Sequence, residues 1–195
     1  MKKLMMAVAA VAAVLEVRAA TLPEGYAEVE YLRLTGKQYA DMGMKLTHLH
    51  KVEIVYVSDL EGGKQLVFGA RTDARHNNFV HMLDGTCMMD FDNTEGTSIK
   101  YRLAWAREQG AKFFVSASNM ERVCRRESSS GAVVAQSQEA VLETMATEKN
   151  CLLGSANSTV SGFQGLVGRI YSFRISDMRT GRVYRQLVPA VRQTD

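Results

Sequence analysis

From Ala27 onward, apolar and polar residues alternate with a period of two over most of the chain. Ile99, Tyr101, Leu103 and Trp105 alternate with Lys100, Arg102, Ala104 and Ala106, the pattern of a half-buried strand whose successive side chains point to opposite faces. Ala111, Phe113, Val115 and Ala117 repeat it, as do Val167, Tyr171, Phe173 and Ile175. Further strands are predicted over 28–34, 51–58, 65–70, 78–83, 87–92, 121–126, 132–136, 151–154 and 183–188. Turn signals such as Thr35-Gly36, Glu61-Gly62-Gly63, Asp84-Gly85, Glu95-Gly96, Gln109-Gly110 and Thr180-Gly181 separate them. Many short strands joined by such turns specify an all-β antiparallel sandwich or barrel, not alternating βαβ units. One segment, 138–145, could place Val141, Leu142 and Met145 on a common helical face for two turns at most, or remain a loop.

The first residues follow another rule. Lys2 and Lys3 precede twelve uncharged residues, Leu4 to Leu15, and then Val17-Arg18-Ala19. A basic start, a short apolar run and small residues at −3 and −1 predict a secretory signal peptide over 1–19, cut between Ala19 and Ala20. The run falls short of the roughly 20 residues that span a bilayer. Export implies a secreted, periplasmic or cell-surface protein, and residues 20–195 then form one domain.

Composition narrows the classes. The chain has 195 residues, 46% hydrophobic and 23% charged, with 2 Pro and 15 Gly, which excludes disorder and collagen-like repeats. Loss of Lys2, Lys3, Glu16 and Arg18 lowers the net charge of +3 to about +1. So weak a charge predicts no nucleic-acid partner, because phosphate binding needs clustered cations. The local group Arg122, Arg125 and Arg126 is diluted by Glu121 and Glu127. No later stretch is apolar enough for a membrane span. Three cysteines, Cys87, Cys124 and Cys151, permit at most one internal disulfide in three pairings, or three buried thiols.

Candidate chemistry is sparse. In a strand over 87–92, Cys87, Met89 and Phe91 would face the core and Met88, Asp90 and Asp92 the solvent, each two-residue step spanning about 6.6–6.8 Å. Asp90 and Asp92, with Asn93 beside them, are the one place where side-chain oxygens gather at strand-to-loop spacing, so a metal ion here would be Ca²⁺. The alternatives are solvated acids on a strand face or an acid pair for glycan hydrolysis. His48 and His50 form a His-x-His pair without a third ligand at supporting spacing, and with His76 and His81 read as loop or turn histidines. Trp105 shares the apolar face of its strand and is expected in the core; stacking on a sugar would need it on the solvent side. No Gly-x-Ser-x-Gly elbow and no phosphate loop occur.

Several stretches together resemble the LamG-like members of the concanavalin A-like lectin/glucanase superfamily found in exported bacterial proteins. They are Leu22-Pro23-Glu24-Gly25-Tyr26, Glu30-Tyr31-Leu32, Thr35-Gly36-Lys37-Gln38-Tyr39, Asp41-Met42-Gly43, Lys51-Val52-Glu53-Ile54, Phe68-Gly69-Ala70-Arg71, Gly168 to Ile175 and Leu187-Val188-Pro189-Ala190. The resemblance implies a jelly-roll β-sandwich with a concave and a convex sheet. It implies a non-catalytic binding module for glycans or a cell-surface partner, with a glycan hydrolase or a purely structural sandwich as alternatives. Hydrolytic relatives carry a Glu-x-Asp-x-x-Glu signature, and Asp90-Phe91-Asp92 lacks both glutamates. Relatives often hold Ca²⁺ at the rim of the concave sheet. They also run past the Pro-containing segment into one more strand, so the resemblance implies either a different closure here or an open sheet edge.

Overall fold

The computed structural model describes residues 24, 26–72, 77–91, 102–127, 131–138, 146–158 and 162–192. The predicted signal segment with its cut between Ala19 and Ala20, residues 139–145 of the helical candidate over 138–145, and Asp92 and Asn93 lie outside them. No helix occurs among the described residues. The chain forms two packed sheets, as the alternation predicts.

In chain order the strands are β1 (Tyr26–Glu28), β2 (Leu32–Thr35), β3 (Ala40–Thr47), β4 (His50–Ser58), β5 (Gln65–Arg71), β6 (Asn77–Leu83), β7 (Thr86–Phe91), β8 (Arg102–Ala106) and β9 (Lys112–Ala117). They continue with β10 (Arg122–Arg126), β11 (Val133–Ser137), β12 (Ala146–Leu153), β13 (Asn157–Ser158), β14 (Gln164–Gly165), β15 (Val167–Asp177), β16 (Val183–Leu187) and β17 (Ala190–Arg192). One sheet runs β3-β12-β5-β6-β7-β8, and the other β11-β10-β9-β4-β15-β16. The pairing is antiparallel throughout except where β13 and β14 run parallel to β5. A separate ribbon joins β1 to β17, so the segment after Pro189 closes on the first described strand.

Strand β15 organises the second sheet. One side pairs with β4 from Gly168 to Asp177; the other is shared by β2, over Val167 to Ile170, and β16, over Phe173 to Ser176. The register against β4 shifts between Ile170 and Ser172, a β-bulge that leaves Tyr171 without an opposite residue. Alternation alone puts Val167, Tyr171, Phe173 and Ile175 on one face. The bulge corrects this: Ile170, Phe173 and Ile175 are buried, while Tyr171 turns outward and is only half-buried.

The core lies between the sheets. Ile54, Val115 and Phe173 from the second sheet meet Leu46, Phe68 and Met89 from the first, with the Phe68 and Phe173 rings edge to face at 5.8 Å. Trp105 and Leu103 are buried there as the pattern requires. All three cysteines are free, buried thiols. Strand β3, which is not among the predicted strands, alternates as well, with Met42, Met44 and Leu46 turned to the core and Gly43, at φ +64, between the first two. The long connection from β4 to β5 is held by Arg107, whose guanidinium donates to the carbonyls of Leu60 at 2.7 Å and Gly63 at 2.9 Å and to Ser58 Oγ at 3.2 Å.

Candidate functional site

The outward face of the second sheet carries the most chemistry. Its polar positions alternate with core positions along each strand, so cross-strand register sets which side chains become neighbours. One row runs Ser116, Glu53, Arg174 and Gln186 across β9, β4, β15 and β16. The next runs Arg125, Phe114, Val55 and Ser172 across β10, β9, β4 and β15, with bulged Tyr171 beside Ser172. Glu53, Arg174 and Gln186 of the first row and Phe114 and Ser172 of the second line a cavity of about 340 Å³, within the size range of small-ligand sites.

Its walls are mixed. Phe114 and Tyr171 supply ring surface, while Glu53, Arg174 and Gln186 supply acceptors and donors. Glu28 and Pro189 come from the β1–β17 side, where the Val29 amide donates to the Pro189 carbonyl at 2.9 Å. Glu53 is the best-placed polar group. Lys51 Nζ lies 2.7 Å from its Oε1, and Arg174 Nε approaches Oε2 at 4.0 Å. These two cations hold the carboxylate in place, and Arg174 Nε has no hydrogen-bond partner of its own. Flat rings beside a fixed carboxylate and guanidinium suit a ligand with an apolar face and hydroxyl edges.

Next to the cavity the rings continue as a ridge. Tyr31 packs on Tyr171 with centroids 5.5 Å apart and planes at 54°. Lys112 Nζ sits 3.7 Å from the Tyr171 centroid, and the Arg169 guanidinium 5.6 Å from that of Tyr31, both within cation–π range. Arg169 is fixed in turn by Asp59 at 3.0 Å.

Several solved structures share this fold. A carbohydrate-binding module, CBM40, of the Ruminococcus gnavus IT-sialidase superposes with a TM-score of 0.52 at 13% identity, over 76% of this chain and 90% of that one. The same module bound to α2,3 sialyllactose gives 0.52 at 14% identity, again over 76% and 90%. The leech intramolecular trans-sialidase gives 0.51 at 14% identity over 79% of this chain but only 26% of its own. The fold is a jelly-roll sandwich. At such identities the likeness is one of fold alone. No protein-family model matches the sequence, and no curated protein matches it.

The residues singled out from sequence lie elsewhere. Asp90 sits at the end of β7, opposite Arg102 in register. It is not a solvated strand-face acid, since it is 4% exposed, and Met88, expected outward with it, is buried as well. Both faces of β7 are therefore covered. Asp92 and Asn93 lie outside the described residues, and among those described no three His, Cys, Asp or Glu side chains gather. His48 occupies the β3–β4 turn and His50 opens β4; His81 lies in β6, a strand rather than a turn, and His76 lies outside the described residues. His50 Nδ1 accepts the Thr47 amide at 2.9 Å, and Tyr184 stands edge-on to its ring at 5.3 Å.

The sequence marks neither Phe114 nor Tyr171 as a site residue, for different reasons. Phe114 stands in Lys112-Phe113-Phe114-Val115, where a second aromatic at an outward position was a readable signal. Tyr171 was assigned inward because a bulge leaves no trace in an alternating pattern.

Proposed function

We propose that this chain is an exported, non-catalytic glycan-binding module that holds a sugar ring in the cavity between Phe114, Tyr171, Glu53 and Arg174. The carrying observation is that cavity, where half-exposed aromatic rings stand beside a carboxylate already fixed by two cations. A sugar presents an apolar C–H face and an edge of hydroxyls, so it takes ring contact and charge-assisted hydrogen bonds together. The fold supports this reading, since a CBM40 module of the same architecture is bound to sialyllactose.

Binding fits better than hydrolysis. The cavity holds two carboxylates, Glu28 and Glu53, but neither stands in the Glu-x-Asp-x-x-Glu signature of hydrolytic relatives, and Glu53 is ion-paired to Lys51 and Arg174, which suits a fixed acceptor for sugar hydroxyls. Lys2, Lys3 and the apolar run from Leu4 to Leu15 support the export half of the proposal.

A glycan array read with the wild-type protein, Tyr171→Ala and Glu53→Gln tests the site. Signal on at least one glycan class, lost in both variants, is the expected result. Binding that survives both substitutions, or reducing-sugar release from any bound glycan, would overturn it.

A further inference from the structure

The ridge beside the cavity differs from it in charge, and the difference follows from strand register. Arg33 of β2 pairs with Arg169 of β15, Arg169 with Val57 of β4, and Val57 with Lys112 of β9. Four outward positions thus form one row across four strands, and three of them are cationic. Arg33 is exposed, and Arg169 and Lys112 are half-buried. Val57 between them is 1% exposed, so the row lies over a covered apolar patch. Asp59 engages Arg169 at 3.0 Å, which leaves the row with a surplus of two positive charges. The cavity has none: its lining sets Glu28 and Glu53 against Arg174.

Tyr171 belongs to both places. It lines the cavity, and Lys112 Nζ stands 3.7 Å above its ring. A sugar chain leaving the cavity over Tyr171 therefore reaches Lys112 and the Tyr31–Arg169 pair at once. Inside the cavity, an anionic sugar would face two carboxylates. On the ridge, the same anion would find Arg33 and Lys112, neither of which forms an ion pair among the described residues, the second of them half-buried, where charge pairs are screened less than in open water.

Resting on the glycan-binding reading above, we infer that the ligand is an acidic oligosaccharide that places an uncharged sugar in the cavity and a neighbouring sugar bearing a carboxylate or sulfate on the Lys112–Arg169–Arg33 row. Arg169 and Arg33 offer forked donors for a planar or tetrahedral oxyanion, and Lys112 offers a point charge. The aromatic pair sets the path of the chain, and the cations select its charge.

The test is an array of neutral glycans printed beside their carboxylate-bearing and sulfated counterparts, followed by titration of the best pair with the wild-type protein, Lys112→Gln and Arg33→Gln. The acidic member should bind about tenfold or more tighter than its neutral parent, an advantage that shrinks as salt rises from about 50 to 500 mM. Each substitution should remove most of that advantage, and Arg33→Gln, at a residue outside the cavity lining, should leave the neutral parent within about twofold. The carboxylate and sulfate arms show which oxyanion is read. Equal binding of neutral and acidic partners, or an advantage untouched by both substitutions, overturns this inference while the glycan site stands. Failure of every glycan to bind overturns the site itself.

Discussion

Two neighbouring aromatic residues in β15 have opposite tasks. Phe173 points inward against Phe68 and is 1% exposed, whereas Tyr171, two positions earlier, is half-buried on the outer face. Phe173→Ala should cost about 3–5 kcal/mol in urea unfolding, as large-to-small core changes do. Tyr171→Ala should cost under about 2 kcal/mol and abolish glycan binding. If the two variants lose stability equally, the orientation of one of them is wrong.

His50 carries a pH dependence of known sign. Burial chiefly lowers its pKa below the usual 6.5, and nearby His48 adds to this, against the opposing pull of Asp177. Its Nδ1 must stay unprotonated to accept the Thr47 amide. The unfolded chain therefore binds this proton more readily, and stability is lost as pH falls below about 6.5. His50→Asn, which keeps an acceptor for that amide, should flatten the stability profile between about pH 7 and 5. An unchanged slope would assign the acid sensitivity to other groups. The thiols behave oppositely: burial pushes Cys87 up to about 11 and raises Cys124 and Cys151 as well. An alkylating reagent at about pH 8 should modify none of the three in the native protein and all three in denaturant.

At the scale of the element, β15 depends on a glycine as much as on its bulge. Gly168 lies against β4 so closely that a Cβ would overlap the carbonyl oxygen of Val57. Gly168→Ala must push β4 and β15 apart at the centre of the sheet, where overpacking typically costs 1–3 kcal/mol or more. The same displacement would break the row joining Arg169, Val57 and Lys112, so glycan affinity should fall with stability. Gly110→Ala meets no neighbour within 4 Å, although φ +74 strains it, and should leave glycan affinity unchanged. A folded Gly168→Ala protein with normal melting temperature and affinity would contradict the packing described here.

The whole molecule is a sandwich whose inner faces make the core and whose second sheet carries the cavity of the proposed site on its outer face. On that outer face one cross-strand row gathers Arg33, Arg169 and Lys112, with Asp59 paired to Arg169 at 3.0 Å. A ligand that binds only the folded state raises stability by mass action, about 2.7 kcal/mol at a hundredfold excess over Kd. The melting temperature should therefore rise with saturating glycan in the wild-type protein and stay fixed in Tyr171→Ala. A rise in both would place the ligand elsewhere.

The period-two pattern, the turn residues and the position of Trp105 were legible because each depends on local chemistry: alternation on the pleat, turns on Gly and Asp, burial on apolar character. The all-β class followed from them. Tyr171 shows where such reading ends, because one inserted residue reverses every later side chain in a strand and the pattern on either side stays the same. Asp90 shows it again, since a polar residue on a strand reads as exposed until something covers that face. Glu53, Phe114, Arg169 and Lys112 lie far apart in sequence and become one surface only through antiparallel register. Sequence determined which residues could face outward; tertiary pairing alone decided which of them met, because cross-strand neighbours are set by hydrogen-bond register between distant segments and not by proximity along the chain.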